Sequence, residues 1–366
     1  MELLITSLVS GVIGVILGVV LQQPLTDLKE LAIHTWKRLT FGPKHPVKPI
    51  ETFSFGNLPS TWLVLDGEGE LEYTPETIEC HFDPREEELP SDLLELKKQI
   101  QREEEEKQER GLPYRWDGPI YSLQRFLISR TALEENLSLQ LWFRPSSYFS
   151  FLATNMSLDK TILDEGNPIL LRDKYFQQVD WYRPREFFSN SFGIDLAIIT
   201  SDEYLLITQR SELVGSRPGE FNISANEGLS RLLDRSEQSD APDLYRCGIR
   251  GAAEELGIGL RRSDITFLSF GVDTQYCQWG LLGFAKTDQR LQQILHWRGA
   301  GVKDKWENNK LHPVQFRPDT VAQFVLSNTP WAPGALACIY HTLVHEFGRD
   351  KVEAAIRKYS KTKNPA

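Results

Sequence analysis

The chain has 366 residues, of which 40% are hydrophobic, 25% charged and 11% aromatic. This length allows two modest domains plus an additional segment, and the apolar content is sufficient for folded cores. The net charge of −10 excludes a typical duplex-DNA-binding protein, which would need a basic face. The four cysteines, at positions 80, 247, 277 and 338, have no paired spacing. A reducing compartment therefore fits better than a disulfide framework or a zinc site.

The first segment is strongly apolar, with no charged side chain from Leu3 to Leu21. A helix of this length spans roughly 28 Å, close to the ~30 Å hydrocarbon core of a bilayer. The pattern predicts a transmembrane helix over residues 1–23. A cleaved signal peptide or a buried helix is the alternative, but the run is long for a signal peptide and lacks a positive n-region.

Positive charge follows the apolar segment within residues 24–50. The positive-inside rule then predicts a single-pass protein of the inner (cytoplasmic) membrane, with its N-terminus outside and its body in the cytoplasm. Residues 24–50 also have a basic amphipathic pattern, with Trp36 expected near the headgroups.

Small residues recur every four positions in the apolar segment, at Ser10, Gly14 and Gly18. This spacing lets helix backbones approach closely, so these residues could form a homo-oligomerisation face in the lipid bilayer. The alternative is that glycine is simply common in membrane helices.

The middle of the chain, residues 51–184, is expected to be an α+β segment. Strand-like apolar stretches flank a highly charged region over residues 85–110, which is typical of a solvated helix or linker. The function of this segment is not evident from its sequence. Residues 351–366 are polar and are interpreted as a C-terminal tail.

The segment that carries chemistry begins with two predicted strands, residues 194–200 and 204–210, which form a hairpin. A helix is expected from Asp243, a suitable N-cap, to Gly257, a suitable residue to follow the last turn. Arg250 and Glu254 are four residues apart and therefore lie on one helical face. Together with Glu255 and the preceding Glu227, they would suit Mg²⁺ bound to a diphosphate.

The helix resembles the second half of the Nudix box, Gly-x5-Glu-x7-Arg-Glu-U-x-Glu-Glu-x-Gly-U, where U is a bulky aliphatic residue. The matching residues are Arg250, Glu254, Glu255, Gly257 and Ile258. The resemblance covers residues 185–350 and implies a C-terminal α/β/α sandwich of the Nudix hydrolase superfamily. It further implies a nucleotide or nucleotide-derivative ligand, Mg²⁺ or Mn²⁺ as cofactor with Glu254 and Glu255 as ligands, and Glu227, Glu254 and Glu255 as catalytic candidates. Arg250, Arg210 and Glu307 are the ligand-binding candidates.

One departure from the box bears directly on activity. The family has a glutamate after the arginine, whereas this chain has Gly251, which can neither bind a metal nor accept a proton. Loss of a catalytic base typically costs about 10²–10⁴-fold in rate. Either another carboxylate, such as Glu227 or Glu307, substitutes for it, or the domain binds a nucleotide without hydrolysing it.

Three functions remain open. The first is a sensor-effector in which nucleotide binding controls the assembly of membrane helices; here the chain resembles the membrane-plus-Nudix effectors of bacterial cyclic-oligonucleotide anti-phage systems. The second is a membrane-tethered, Mg²⁺-dependent hydrolase of nucleoside diphosphate derivatives. A protein scaffold is the third and plainest interpretation. His341 and His345 have helical spacing and could be half of a metal site, but packing on a helix face is the simpler interpretation.

Overall fold

The computed structural model describes residues 51–360, except 87, 132–134, 165, 177–178, 212–216 and 301–307. The predicted transmembrane helix, the oligomerisation residues Ser10, Gly14 and Gly18, and Glu307 therefore lie outside the described residues. Residues 51–366 make up one compact unit. Within the described part of the chain, no helix is long and apolar enough to cross a membrane.

The unit contains fifteen strands among the described residues. They are β1 (Ser54–Phe55), β2 (Leu58–Pro59), β3 (Trp62–Asp66), β4 (Ile78–Phe82), β5 (Pro119–Arg130), β6 (Leu137–Ser147), β7 (Thr161–Asp164), β8 (Asn167–Leu170), β9 (Phe192–Ile199), β10 (Tyr204–Arg210), β11 (Phe221–Asn222), β12 (Ala225–Gly228), β13 (Ile265–Asp273), β14 (Gln278–Lys286) and β15 (Asn308–Gln315). The α-helices are α1 (Ser91–Glu109), α2 (Tyr148–Ala153), α3 (Leu171–Tyr175), α4 (Leu244–Leu256), α5 (Leu291–Ala300), α6 (Pro318–Ser327), α7 (Pro333–Phe347) and α8 (Arg349–Ser360).

The main sheet has the strand order β11-β10-β9-β14-β13-β3, with β12 paired to β9 and β15 paired to β10. Only β9 and β14 pair in parallel among these described strands. Alternate residues of β9 point to opposite faces of the sheet. Ile194 and Leu196 pack with the apolar side of α4, whereas Ala197 packs with α7. Helices therefore cover both faces, and the mixed α/β class expected from the sequence is confirmed.

The predicted strands and helices of the C-terminal region are present. The hairpin corresponds to β9 and β10, and the final helix expected near residues 332–347 is α7. Helix α4 begins where Asp243 accepts hydrogen bonds from the backbone N–H groups of Tyr245 and Arg246, at 3.0 and 3.2 Å. It ends at Gly257, whose φ of 72° is a left-handed conformation that glycine adopts readily.

The middle segment forms a second sheet with the order β4-β6-β5, and the charged stretch contains α1. Its N-terminal end, however, belongs to the main sheet, because β3 pairs with β13. The middle segment thus contributes a strand to the main sheet. The apolar side chains of Trp62 and Leu65 make this edge position favourable, since both are buried.

The stretch interpreted as a polar tail contains a packed helix, α8. Three of its side chains, Val352, Ala355 and Ile356, are buried in the apolar cluster that also contains α7. The remaining face is charged, which explains why composition alone suggested a solvated tail. The expectation of a tail is therefore corrected over residues 351–360, and residues 361–366 lie outside the described part.

Candidate active site on helix α4

Arg250 lies at the centre of a group of carboxylates that come from three different segments. Its guanidinium is 2.7 Å from Asp234, 3.0 Å from Glu227 and 3.1 Å from Glu254. It also donates a hydrogen bond to the carbonyl of Gly228 at 2.9 Å. Burial disfavours the charged guanidinium, but the hydrogen bonds with Asp234 and the attraction of Glu227 outweigh this and raise the pKa of Arg250. Arg250 is therefore a permanent cation inside the carboxylate cluster.

Gly251 is in close contact with the strand that precedes the helix. A Cβ atom placed on Gly251 would lie 2.9 Å from the Cβ of Glu227. Such a distance is shorter than real Cβ contacts, so strand β12 occupies the space that a side chain at 251 would need. The carboxylate of Glu227 thus approaches the helix at the position where the family motif has its missing glutamate.

Glu227 has an unusual charge environment. Burial raises the pKa of its carboxyl group to about 7, although the nearby Arg250 acts in the opposite direction. A carboxyl group with a pKa near neutrality can exchange a proton under physiological conditions. Cys247, one turn before Arg250, is buried, and burial raises the pKa of its thiol. This cysteine therefore packs in the core and is not an activated nucleophile.

Glu255 faces the strand rather than solvent. Its side chain is buried, and it accepts a hydrogen bond from the backbone N–H of Asn226 at 2.9 Å. Glu254 is engaged by Arg250. Across the described ranges, no group of three or more His, Cys, Asp or Glu residues has a geometry that could hold a metal ion. Glu254 and Glu255 are thus engaged by protein partners, and Glu307 is not described.

The expected partial metal site on the last long helix is also not formed in the described chain. His341 is buried beside Phe53 and Tyr340, and burial lowers its pKa to about 3. His345 instead lies 3.4 Å from Glu346. Both histidines have packing or ion-pair contacts, which agrees with the simpler interpretation of their spacing.

A cavity of about 540 Å³ opens over the main sheet, and Pro333 and Gly334 of α7 contribute to its wall. Asn226 and Gly228 of β12 line it, while the intervening Glu227 points towards α4. Arg210, one of the predicted ligand-binding residues, also lines it. The structure thus separates the predicted residues into two groups, with Arg210 in the cavity and the other described candidates on or against α4.

Two tryptophans in the cavity wall have unsatisfied polar groups. Trp62 is 5% exposed and Trp279 is 3% exposed, and the indole N–H of each is buried without a hydrogen-bond partner in the described part of the chain. An unpaired buried donor typically costs about 1–3 kcal/mol. The ring of each tryptophan lines the cavity, while its N–H is enclosed by protein, that of Trp62 lying against Gly271.

Acidic and basic side chains complete the wall. Asp195 is buried, accepts a hydrogen bond from the side-chain amide of Asn226, and has its pKa raised to about 6 by burial. Arg217 is 2.7 Å from Asp273, and its guanidinium lies 4.9 Å from the ring centre of Tyr276. The cavity therefore combines cationic, acidic and aromatic groups, which is typical of a site for a polar aromatic ligand.

Several of these residues are absent from the sequence prediction. Asp195 could have been identified from the sequence, because it is the only charged residue in the otherwise apolar strand β9. Trp62 and Asp234 had none, since one lies in a distant N-terminal strand and the other in a polar loop. Their roles depend on contacts between residues far apart in the sequence.

Comparison with known proteins supports the Nudix resemblance over part of the chain. No protein-family model matches the chain. The uridine diphosphate glucose pyrophosphatase NUDT22 of Mus musculus is 25% identical over 118 residues, which is 32% of this chain. The match spans about a third of that relative, 34% of its length.

Solved structures give a weaker likeness. DR0079 from Deinococcus radiodurans, with 14% identity, covers 49% of this chain and 95% of its own at a TM-score of 0.29. A MutT protein from Methanosarcina mazei Go1, with 12% identity, covers 43% and 94% at 0.26. A MutT/nudix family protein from Enterococcus faecalis, with 12% identity, covers 51% and 72% at 0.31. The likeness to the mouse pyrophosphatase, together with the motif on α4, makes this chain similar to Nudix hydrolases.

Proposed function

We propose that this protein binds a nucleoside diphosphate derivative in the cavity over the main sheet and acts as a sensor rather than as a fast hydrolase. The position of Arg250 carries this proposal. Its guanidinium contacts Glu227, Asp234 and Glu254, so the carboxylates that hydrolysis would use are already paired with a cation. Hydrolysis would require the ion pairs between Arg250 and these carboxylates to break, which costs free energy. Ligand binding alone leaves these ion pairs intact.

The cavity has the chemical groups that such a ligand needs. Arginines such as Arg210 and Arg217 recognise phosphate through charge and directed N–H groups. The rings of Trp62 and Trp279 add aromatic surface to the cavity wall. The ring of Tyr276 offers a face on which a base can stack.

The output of the sensor would lie in the membrane. Residues 1–23 would form the single span, and Ser10, Gly14 and Gly18 would let the spans of a homo-oligomer associate. The resemblance to membrane-plus-Nudix effectors extends the proposal to a cyclic-oligonucleotide signal and to anti-phage defence at the inner membrane. Such a switch requires that the ligand bind the active assembly better than the resting one.

Hydrolysis of a nucleoside diphosphate derivative is the second candidate, and the position of Glu227 favours it. Its carboxylate approaches the helix where Gly251 leaves a gap, and its pKa of about 7 suits a general base. A base at this point would accept the proton of a water molecule as that water attacks phosphorus and the bridging P–O bond breaks. When bound, Mg²⁺ or Mn²⁺ would neutralise the phosphate oxygens.

The deciding experiment uses the full chain in detergent micelles, with and without Mg²⁺ or Mn²⁺. Nucleoside diphosphates, their derivatives and cyclic oligonucleotides are tested for thermal shift and for product release. A shift of several degrees with an intact ligand is the expected result. Turnover of a diphosphate compound that Glu255→Gln abolishes would refute the sensor proposal and support the hydrolase.

A pair of variants tests why the site would be silent. Gly251→Glu alone should fail to create activity, because the new side chain would collide with Glu227. Gly251→Glu combined with Glu227→Gly removes the Cβ atom that causes that collision and places the carboxylate where the family motif has it. Activity in the double variant but not in wild type would support a binding site derived from a hydrolase, whereas equal activity in wild type would contradict it.

A further inference from the structure

We infer that the middle segment forms the second half of the ligand cavity and that Lys160 binds an anionic group on the distal moiety of the ligand. The inference rests on the proposed function and names the ligand class. The ligand would be a nucleoside diphosphate linked to a second moiety that carries a carboxylate or phosphate. A plain nucleoside diphosphate would fill only the half of the cavity over the main sheet.

The cavity has two walls of different origin. One wall consists of strand residues of the main sheet, including Asp195 and Trp279. The opposite wall comes from α1, α2 and the residues that follow, and its lining residues include Ile100, Phe151 and Lys160. A volume of about 540 Å³ lies within the range of pockets that enclose whole small-molecule ligands, roughly 300–1,000 Å³. The middle segment therefore contributes to the site directly.

Hydrogen bonds fix the two walls to each other. The side-chain amide of Asn155 donates to the backbone carbonyls of Tyr276 and Cys277, at 2.9 and 3.0 Å. Arg172 donates to the carbonyl of Gln275 at 2.6 Å. These contacts hold the turn between β13 and β14, which carries the ring of Tyr276. Such a cavity is pre-organised, so a ligand that reaches both walls loses little free energy in ordering them.

Among the described residues of the second wall, the exposed Lys160 is a cation with no ion pair. Arg115 lies 2.5 Å from Glu104, so its charge is compensated. Glu103, which also lines the cavity, accepts a hydrogen bond from Gln99 at 2.8 Å. The ammonium group of Lys160 forms no ion pair or hydrogen bond with any described residue, although the residue lines the cavity. An anion on the ligand would meet a positive charge here without breaking an existing pair.

Lys160 also differs from its charged neighbours in sequence. Asp159 pairs with Arg172 at 3.0 Å, so the nearest carboxylate along the chain is already engaged. The short hairpin of β7 and β8 follows, and the backbone N–H of Leu171 donates to the carbonyl of Lys160 at 2.9 Å. The backbone of Lys160 is thus fixed while its side chain remains available. This arrangement suits a residue that selects among ligands rather than one that stabilises the fold.

The test uses two ligands that differ in one group. UDP-glucose and UDP-glucuronate share a nucleoside diphosphate and a hexose, but only the second has a carboxylate on the sugar. Binding of both, and of UDP, to the full chain in detergent micelles is measured by calorimetry. Wild type should bind UDP-glucuronate about 5- to 10-fold more tightly than UDP-glucose, which corresponds to about 1–1.4 kcal/mol.

Variants separate this inference from the proposed function. Lys160→Met should abolish the preference for UDP-glucuronate and leave UDP binding unchanged, whereas Lys98→Met, on the exposed face of α1, should change neither. Equal affinity of wild type for the two sugars, or an equal loss for UDP in Lys160→Met, would overturn the inference. If no nucleotide binds at all, the proposed function itself fails.

Discussion

Replacing Arg250 by alanine should destabilise the fold more strongly than any other single change on α4. The side chain of Asp234 is fully buried, and that of Arg250 is only 14% exposed. Removing one partner of a buried ion pair typically costs about 3–5 kcal/mol, because the other charge is left buried. Asp234 keeps a 2.7 Å hydrogen bond from the backbone N–H of Ser230. The expected loss is therefore at the lower end, about 3 kcal/mol.

Urea unfolding of residues 51–366, which form one compact unit, measures this loss. Arg246→Ala is the matched control, since Arg246 lies one turn earlier, is exposed and makes a long 3.4 Å contact with a backbone carbonyl. It should change the free energy of unfolding by less than about 0.5 kcal/mol. Adding Asp234→Asn to Arg250→Ala should recover much of the loss, because the fully buried side chain at 234 then carries no charge. Equal effects of Arg250→Ala and Arg246→Ala would refute the view that this arginine balances a buried carboxylate.

Three further predictions concern the cavity and the helix. Gly334→Ala should destabilise the fold by about 1–3 kcal/mol in thermal or urea unfolding, because a Cβ there would collide with the carboxylate of Asp195. The control is Gly259→Ala, which adds a Cβ in open space and should have little effect. Because the pKa of Asp195 in the folded protein is about 6 against a usual 3.8, the folded state holds the extra proton between these values, and stability should fall by about 2 kcal/mol as pH rises from 4 to 6. Asp195→Asn should flatten that part of the pH–stability curve, and an unchanged slope would contradict the assignment. A Gly→Ala change inside a helix usually raises the free energy of unfolding by about 1 kcal/mol. Gly251→Ala should not give this increase, because the new Cβ would be too close to Glu227. A clear stabilisation in urea unfolding would show that β12 can shift away from α4 at little cost.

Much of the C-terminal half of the fold could be predicted from local sequence. Alternating and continuous apolar runs define β9 and β10, and Asp243 and Gly257 mark the ends of α4 through cap chemistry that depends on neighbouring residues only. The register of Arg250 and Glu254 on one helical face follows from the helical repeat. These features share one property, namely that their physical cause lies within a few residues of the chain.

The composition of the site could not be predicted in the same way. Trp62 reaches the cavity because β3 pairs with β13, about two hundred residues later, and no local pattern encodes that pairing. Asp234 lies in a stretch of polar residues in which nothing distinguishes the one carboxylate that becomes buried. The close contact of Gly251 with Glu227 likewise depends on how a strand packs on a helix. Long-range packing therefore determined the parts that sequence analysis missed.

The departure from the family motif acquires a different meaning once Gly251 and Glu227 are considered together. A glycine in the middle of a helix usually costs about 1 kcal/mol relative to alanine, so its presence in α4 requires a compensating gain. The gain here is the close approach of β12, which brings a carboxylate to the helix from the strand side. The loss of the motif glutamate thus does not remove negative charge from this position. The carboxylate is carried by β12 instead of α4, and it forms an ion pair with Arg250. The strength of this ion pair, rather than the absence of a glutamate at 251, should therefore determine whether the site only binds its ligand or also hydrolyses it.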